Sequence, residues 1–201
     1  HFGSGIVPTP NDFGQLGEAP SHPELLDWLT RKFIDGGWKM KDIHRLVLTS
    51  ATYRQTARRE PTSDESITDP LNRLLWRFPP RRLDAEQIRD AMLAISGELS
   101  NKSDGPAADG SAGTRGVFMK KRRNTRDALI GGFDAPLRFA SAPSRLATTS
   151  PTQSLFLINS DWAIQRSSAL AKQLLETTDK VDADVITKAF ETVSYTHLTL
   201  P

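Results

Sequence analysis

The chain has 201 residues, of which 37% are hydrophobic and 25% charged, a balance that is ordinary for a folded globular protein. Its formal net charge of +2 is too small to indicate nucleic acid or an anionic membrane as a partner of the whole chain. The lack of cysteine excludes disulfides, iron–sulfur ligation and covalent haem within these residues, and no apolar run approaches the ~20 residues of a membrane-spanning helix.

The first twenty residues combine four glycines and three prolines with apolar side chains such as Phe2 and Phe13. Disordered segments are poor in aromatic residues, so this pattern predicts an irregular but packed loop. A helix follows, with Ser21 as the expected N-cap and Glu24 completing a capping box, and Gly36-Gly37 end it. Its apolar stripe is Leu25, Leu26, Trp28, Leu29 and Phe33.

A second helix is predicted from about Lys39 to Thr49, because its apolar residues recur on one side. A polar connector follows at residues 61–70. Asp84 then caps a third helix, with Gln87 three residues later as in a capping box. The apolar stripe of this helix is Leu83, Ile88, Ala91, Met92, Ile95 and Leu99.

The middle of the chain holds the clearest break and the most basic stretch. Residues 101–116 lack large apolar side chains, which predicts a flexible surface loop. A short strand is expected at Val117–Met119, before the basic run at Lys120–Arg126. That run alone suggests polyanion binding, but it has no interleaved aromatic residues, so a solvated strand end or an interdomain contact is the other interpretation.

The last third of the chain reads as helical. Ser150, with Pro151 and Gln153 behind it, fits the start of a helix that breaks near Asn159-Ser160 and resumes from Asp161 to about Leu175. No internal repeat is visible. The whole pattern predicts a mainly α, irregular helical domain with Gly/Pro-rich loops and at most a few short strands.

Two acidic residues in the opening loop are candidates for acid–base chemistry. Asp12 and Glu18 would serve if they flanked a pocket, since such catalysis needs positioned carboxylates. The alternative is that Asp12 closes an Asx turn in TPNDFG and that Glu18 pairs with a nearby base. Both interpretations are open at the level of sequence.

Histidine and arginine supply the remaining candidates. His22 follows the expected Ser21 cap, where a catalytic role competes with hydrogen bonding to the loop backbone. Arg54, like Arg81-Arg82, would clamp a carboxylate or phosphate with its planar fork, or pair inside the fold near aromatic side chains. The sequence has no HExxH motif, no i, i+4 histidine pair and no Cys/His cluster, so no self-contained metal site is predicted.

A series of phrases spread along the chain occurs in a specific order. These are HFGSGIVPTPNDFG from His1, SHPELLDWL from Ser21, Gly37-Trp38, HRLVLTSATYRQT from His44, DPLNRLLW from Asp69, RRLDAEQIRDAMLAISG from Arg81, FDAP from Phe133 and TTSPTQSL from Thr148. Together they resemble the planctomycete-specific domain one, or domain of unknown function fifteen-fifty-three, over most of residues 1–175. Relatives place an aromatic, proline-containing stretch before FDAP and a cysteine after it, where this chain has Phe118 and Ser141.

The resemblance implies a module of a multidomain, exported bacterial protein, in the periplasm or at the cell surface. A cytochrome-c-like CxxCH segment and a second family-specific domain would lie upstream, so haem is expected there and no cofactor is expected here. The partners would be those upstream domains of the same chain. The family has no established catalytic residues, and none is transferred.

Both ends of the chain depart from the family phrases. The family pattern begins before His1, and VSYTHLTLP at Val193–Pro201 resembles a translated sequencing adapter that interrupts a helix begun at Asp182–Phe190. We therefore expect residues 1–192 to be part of a single domain and residues 193–201 to be a non-native tail.

Three functional hypotheses follow. The first is a non-catalytic helical module that supports an upstream cytochrome-c-like domain. The second is part of a carbohydrate- or polymer-degrading enzyme whose site is shared with an upstream domain, with Asp12, Glu18, His22 and Arg54 as candidates. The third is polyanion binding through residues 120–126. The sequence alone does not decide whether the protein is an enzyme.

Overall fold

The computed structural model describes residues 1–101, 106–122, 125, 127–136, 142, 144–177 and 182–194. Within these ranges the chain forms eight α-helices and one short 3₁₀ helix, joined by turns and irregular segments. Strand pairing in the same residues is limited to isolated bridges, such as Ser100 with Thr114 and Ala108 with Met119. The mainly α class with at most a few short strands is confirmed.

The chain divides into two compact units, His1–Arg82 and Leu83–Pro201. The first unit holds α1 (Pro23–Asp35), α2 (Met40–Thr49) and α3 (Ser63–Thr68). The second holds α4 (Ala85–Ile95), the 3₁₀ helix (Gly116–Phe118), α5 (Ala128–Gly132), α6 (Pro151–Asn159), α7 (Asp161–Thr177) and α8 (Asp182–Ser194). The single domain expected over residues 1–192 stays a prediction.

The start of α1 differs from the prediction. His22 rather than Ser21 is the N-cap, and no side-chain cap bond is made. The Ser21 hydroxyl donates instead to the Ile6 carbonyl at 3.3 Å, because the opening loop competes for it. The end of α1 follows the prediction, since Gly37 takes a left-handed φ of 73° that a residue without Cβ adopts freely.

In the second unit the predicted caps are present. Gln87 accepts a hydrogen bond from the Asp84 N–H at 2.9 Å, and Gln153 accepts one from the Ser150 N–H at 3.2 Å. Pro151 occupies the first turn of α6, where its missing N–H costs no helical bond. A buried core cluster of this unit contains Ala85, Met119, Leu129, Ile130 and Phe133, and Leu93, Ala163 and Leu174 are buried as well.

Two expectations in this unit are wrong. Leu83 is 54% exposed, because it precedes the cap of α4 and lies off the buried stripe. The strand expected at Val117–Met119 is replaced by the 3₁₀ helix, whose first N–H, that of Gly116, donates to Asp90 Oδ1 of α4 at 2.6 Å. This long-range hydrogen bond stabilises a helical turn at residues whose local sequence favours an extended strand.

The end of the chain is helical as far as it is described. The break predicted near Asn159-Ser160 is confirmed, since α6 ends at Asn159 and α7 begins at Asp161. Helix α8 includes Val193 and Ser194. Residues 195–201 lie outside the described residues, so the adapter-like tail stays a prediction. None of the helices in the described ranges is long and apolar enough to cross a membrane.

Candidate functional site

A cavity of about 690 Å³ opens in the first unit, between the opening loop, α1, α2 and the segment at residues 71–80. Its volume lies within the ~300–1,000 Å³ that is typical of ligand pockets. The two helices form one wall, to which they contribute Leu25, Trp28, Leu29, Leu46 and Val47.

This helical wall is apolar yet open. Neither α1 nor α2 contains a buried residue, although each has a clear apolar stripe. Trp28 keeps 45% of its surface exposed and Leu25 keeps 43%. Contiguous exposed apolar surface of this kind marks an interaction or ligand site, because a stable amphipathic helix normally buries its stripe.

The charged side chains of the cavity are all basic or histidine. Arg73, Arg77, His1 and His22 line it, and no Asp or Glu does so within the part of the chain that the structure describes. The cavity therefore combines an apolar interior with a positive charge. An apolar group that carries a negative charge is the complement of such a surface.

The two arginines lie on a turn that side-chain hydrogen bonds of Asp69 and Asn72 stabilise. The Asp69 carboxylate is 7% exposed and accepts hydrogen bonds from the N–H groups of Arg73 and Leu74, each at 2.7 Å. Asn72 accepts from the Arg77 N–H at 3.2 Å and donates to the Arg77 carbonyl at 3.0 Å. Short Asp and Asn side chains suit such turns because they replace backbone partners locally. The turn is thus preset before any ligand arrives.

Left-handed backbone accompanies this turn. Asn72 has φ of 55°, which asparagine tolerates well, but Leu75 has φ of 58°, which is costly for a leucine. The Leu75 side chain lines the cavity. The Leu75 carbonyl accepts a hydrogen bond from Gln55 Nε2 at 3.1 Å, and this bond helps to hold the conformation.

Both arginines retain capacity to donate hydrogen bonds. The Arg77 guanidinium lies 4.8 Å from the Trp76 ring centroid, and its buried Nε has no hydrogen-bond partner. Arg73 lies 3.5 Å from the Glu18 carboxylate, with both side chains more than half exposed. An exposed pair of this length contributes little, so it competes weakly with a ligand.

Of the four predicted site residues, only His22 lines the cavity. Asp12 lies in a turn, where its N–H donates to the Thr9 carbonyl and its own carbonyl accepts from the Thr9 hydroxyl, both at 3.0 Å. Glu18 pairs with Arg73, as the structural interpretation of that residue expects. Arg54 is exposed. The candidates are therefore not assembled around one reactive centre in this unit.

The histidines make contacts with one another and with the loop. His22 Nδ1 lies 2.8 Å from the Ser21 hydroxyl, and His1 Nε2 lies 2.8 Å from His44 Nδ1 beside the Tyr53 ring. Among the described residues, no group of three or more His, Cys, Asp or Glu side chains is placed to hold a metal ion.

The basic stretch is only partly described. Lys120, Lys121 and Arg122 are exposed, whereas Arg123 and Arg126 lie outside the described residues. Lys121 Nζ lies 2.5 Å from the Glu86 carboxylate, so one of these charges is already paired. Polyanion binding through residues 120–126 stays a prediction.

Sequence reasoning missed the turn that carries the cavity's arginines. The phrase DPLNRLLW contains Asp69, Asn72 and Arg73, and its Asp-Pro start and isolated Asn are ordinary turn signals. The guanidinium groups that lie over the Trp76 ring are those of Arg59 and Arg77, at 5.5 and 4.8 Å from its centroid. A turn signal in the sequence does not show which side chains the turn directs into a cavity. No sequence pattern therefore marked the two arginines as site residues.

These features define a helical chain with an open, apolar and positively charged cavity. The chain belongs to the PSD1 family, described as protein of unknown function (DUF1553), whose family model matches residues 1–199. The family resemblance read from the sequence is confirmed. No curated protein matches the chain. No solved structure matches it either.

Proposed function

We propose that this chain is a non-catalytic helical module of a multidomain, exported bacterial protein, which supports an upstream cytochrome-c-like domain by binding it. The observation that carries the proposal is the cavity of the first unit, whose helical wall is apolar and contains no buried residue. A neighbouring domain would bury that wall. Haem, in this proposal, belongs to the neighbour.

The proposal favours binding over catalysis because the Ser21 and His22 side chains of the cavity are already engaged in hydrogen bonds. Ser21 and His22 are adjacent in sequence and contact each other, but the Ser21 hydroxyl also donates to the Ile6 carbonyl. A nucleophilic serine needs a base that is itself oriented by a third group. No carboxylate lines this cavity within the described residues, so the arrangement supports a structural role for both side chains.

The test is binding in trans to the upstream domains, produced as a separate polypeptide. Leu25→Lys places a charge on the apolar wall, and we expect it to weaken the complex at least tenfold, as for a central interface residue. Leu155→Lys alters a side chain on α6 that is 56% exposed and serves as the matched control. Circular dichroism would verify that both variants stay folded.

Two outcomes contradict the proposal. Equal affinity of wild type and Leu25→Lys would remove the cavity from the interface. Turnover of a polysaccharide by the reconstituted complex, abolished by His22→Ala without loss of binding, would instead establish the enzyme hypothesis with a shared site.

A further inference from the structure

We propose that the cavity of the first unit receives an amphipathic α-helix of a neighbouring domain, whose apolar anchors fill the helical wall and whose carboxylate pairs with Arg73 and Arg77. This inference rests on the proposed docking function and specifies the chemistry of the partner. Three features of the cavity lead to it.

The first feature is the lack of backbone partners for an extended segment. Within the described residues the first unit contains helices and turns and no strand, so it offers no strand edge for β-augmentation. An extended peptide would therefore gain no ladder of backbone hydrogen bonds from this unit, whereas its own N–H and C=O groups lose water wherever they are buried. A helix satisfies its own backbone and therefore fits the groove.

The second feature is the shape of the helical wall. Leu25, Trp28 and Leu29 repeat at i, i+3 and i+4 along α1, and Leu46 and Val47 lie on α2, which packs with α1. Two such stripes form a groove between helices, into which the ridge of a third helix packs. Anchors at i, i+3, i+4 and i+7 on that third helix would bury both stripes.

The third feature is charge. The cavity is lined by Arg73 and Arg77 and by no described carboxylate. Its surface is therefore positively charged beside these side chains, and a negatively charged group on the partner complements it. A guanidinium binds a carboxylate through two parallel hydrogen bonds, which selects glutamate or aspartate over a neutral amide.

The backbone that carries the arginines is fixed before binding. Asp69 and Asn72 accept hydrogen bonds from the Arg73 and Arg77 N–H groups, and the Trp76 ring supports the Arg77 guanidinium at 4.8 Å. Preorganised groups lose less conformational entropy on binding. The site is therefore suited to binding one carboxylate at a defined position on the partner helix.

The test uses two synthetic peptides of about 18 residues with leucine anchors at i, i+3, i+4 and i+7, one of which carries glutamate at the position facing the arginines and the other glutamine. Fluorescence anisotropy with the full chain would measure their affinities. We expect the glutamate peptide to bind about tenfold more tightly, as a hydrogen-bonded charge pair predicts.

Arg73→Gln and Arg77→Gln should each reduce this preference, whereas Arg45→Gln, on an exposed residue of α2 outside the cavity, should retain it. Leu25→Lys should weaken both peptides. Arg73→Gln is the safer variant for folding, since that side chain is 55% exposed.

Equal affinity for the two peptides would overturn the inference. So would saturable binding of sodium oleate in the absence of peptide binding, which would assign the cavity to a free amphiphilic anion. Should neither peptide bind while the upstream domains still bind wild type and not Leu25→Lys, the inference falls and the docking function stands. Loss of domain binding altogether would reject the docking function itself.

Discussion

At the scale of single residues, Arg89 is a buried cation of the second unit whose side chain makes several long-range hydrogen bonds. It is 1% exposed and donates to the carbonyls of Gly110, Ala112 and Thr114, the last at 2.6 Å. Burial lowers the pKa of Arg89, while the charge of nearby Asp90 acts in the opposite direction. Its guanidinium also lies over the Trp162 ring at 5.3 Å. One side chain therefore helps to order a glycine-rich segment that has no large apolar residues of its own.

Replacement of this residue should be severe. Arg89→Met keeps the apolar stem but leaves three carbonyls without their donor, so we expect a loss of roughly 3–5 kcal/mol in the free energy of unfolding. Urea unfolding followed by circular dichroism would measure it. Arg115→Met is the control, because that side chain is 61% exposed and lies 3.9 Å from Asp90. A difference between the variants below about 1 kcal/mol would contradict the role given to Arg89.

Residue-scale prediction from the sequence succeeded unevenly. The family phrases carry Asp12, His22 and Arg54, and of these only His22 lines the cavity. Arg89 stands in an ordinary amphipathic stretch, where an arginine normally indicates the solvent face. Its burial depends on carbonyls more than twenty residues away, and neither helical spacing nor composition contains that information.

At the scale of elements, the caps of α4 and α6 were predictable because each depends on residues three apart. The cap of α1 was not, because the opening loop takes the Ser21 hydroxyl. Asp84 with Gln87, and Ser150 with Gln153, form the expected boxes. Gln153 does more than the local pattern implies. It is 4% exposed, and its Nε2 donates to the Gly132 carbonyl at 3.1 Å, which ties the start of α6 to the end of α5.

Removal of this side chain should affect both connections. Gln153→Ala loses the bond to the Ser150 N–H and leaves the Gly132 carbonyl without this donor, so we expect a destabilisation of about 1–3 kcal/mol. Thermal unfolding is a sufficient measurement. Ser154→Ala changes an exposed neighbour on the same helix and should shift stability by less than about 0.5 kcal/mol. Similar thermal stabilities of the two variants would show that the hydrogen bonds of Gln153 contribute little to the stability of the fold.

At the scale of the whole molecule, one carboxylate connects parts of the second unit that are far apart in the chain. Glu86 of α4 receives hydrogen bonds from Lys121 Nζ and Arg145 Nη1, each at 2.5 Å. Burial alone would raise the pKa of Glu86, but the hydrogen bonds from Arg145 and Lys121 outweigh it and lower the pKa from 4.5 to about 2. This cluster links three segments of the second unit through one carboxylate.

The consequence is a defined acid sensitivity. A folded-state pKa below the unfolded value gives stability that is fully present above pH 4.5 and is lost as the pH falls toward about 2. We expect wild type to lose up to about 3 kcal/mol over this window through Glu86, and Glu86→Gln to lack that part of the dependence. Urea unfolding at several pH values would resolve it.

Glu176→Gln alters a carboxylate whose side chain is 65% exposed and should leave the acid dependence intact. An unchanged acid profile in Glu86→Gln would show that the cluster does not control stability.

The sequence predicted the helical class, the main helices and the family, because those depend on local periodicity and on ordered phrases. It did not predict the division after Arg82 or the cavity. An apolar stripe on a helix indicates that the helix has a face to bury. It does not show whether that face is buried in the core of the same chain or stays exposed for a partner. The stripe of α1 is an open one.

The left-handed backbone of Leu75 affects which residues selection would favour at this position. Glycine at this position would relax the backbone by roughly 1–2 kcal/mol, but it would also remove a side chain from a residue that lines the cavity. Selection for stability alone therefore favours glycine at position 75, whereas selection for binding favours leucine. A stability screen without the partner should enrich glycine there, whereas a screen for the assembled protein should restore leucine.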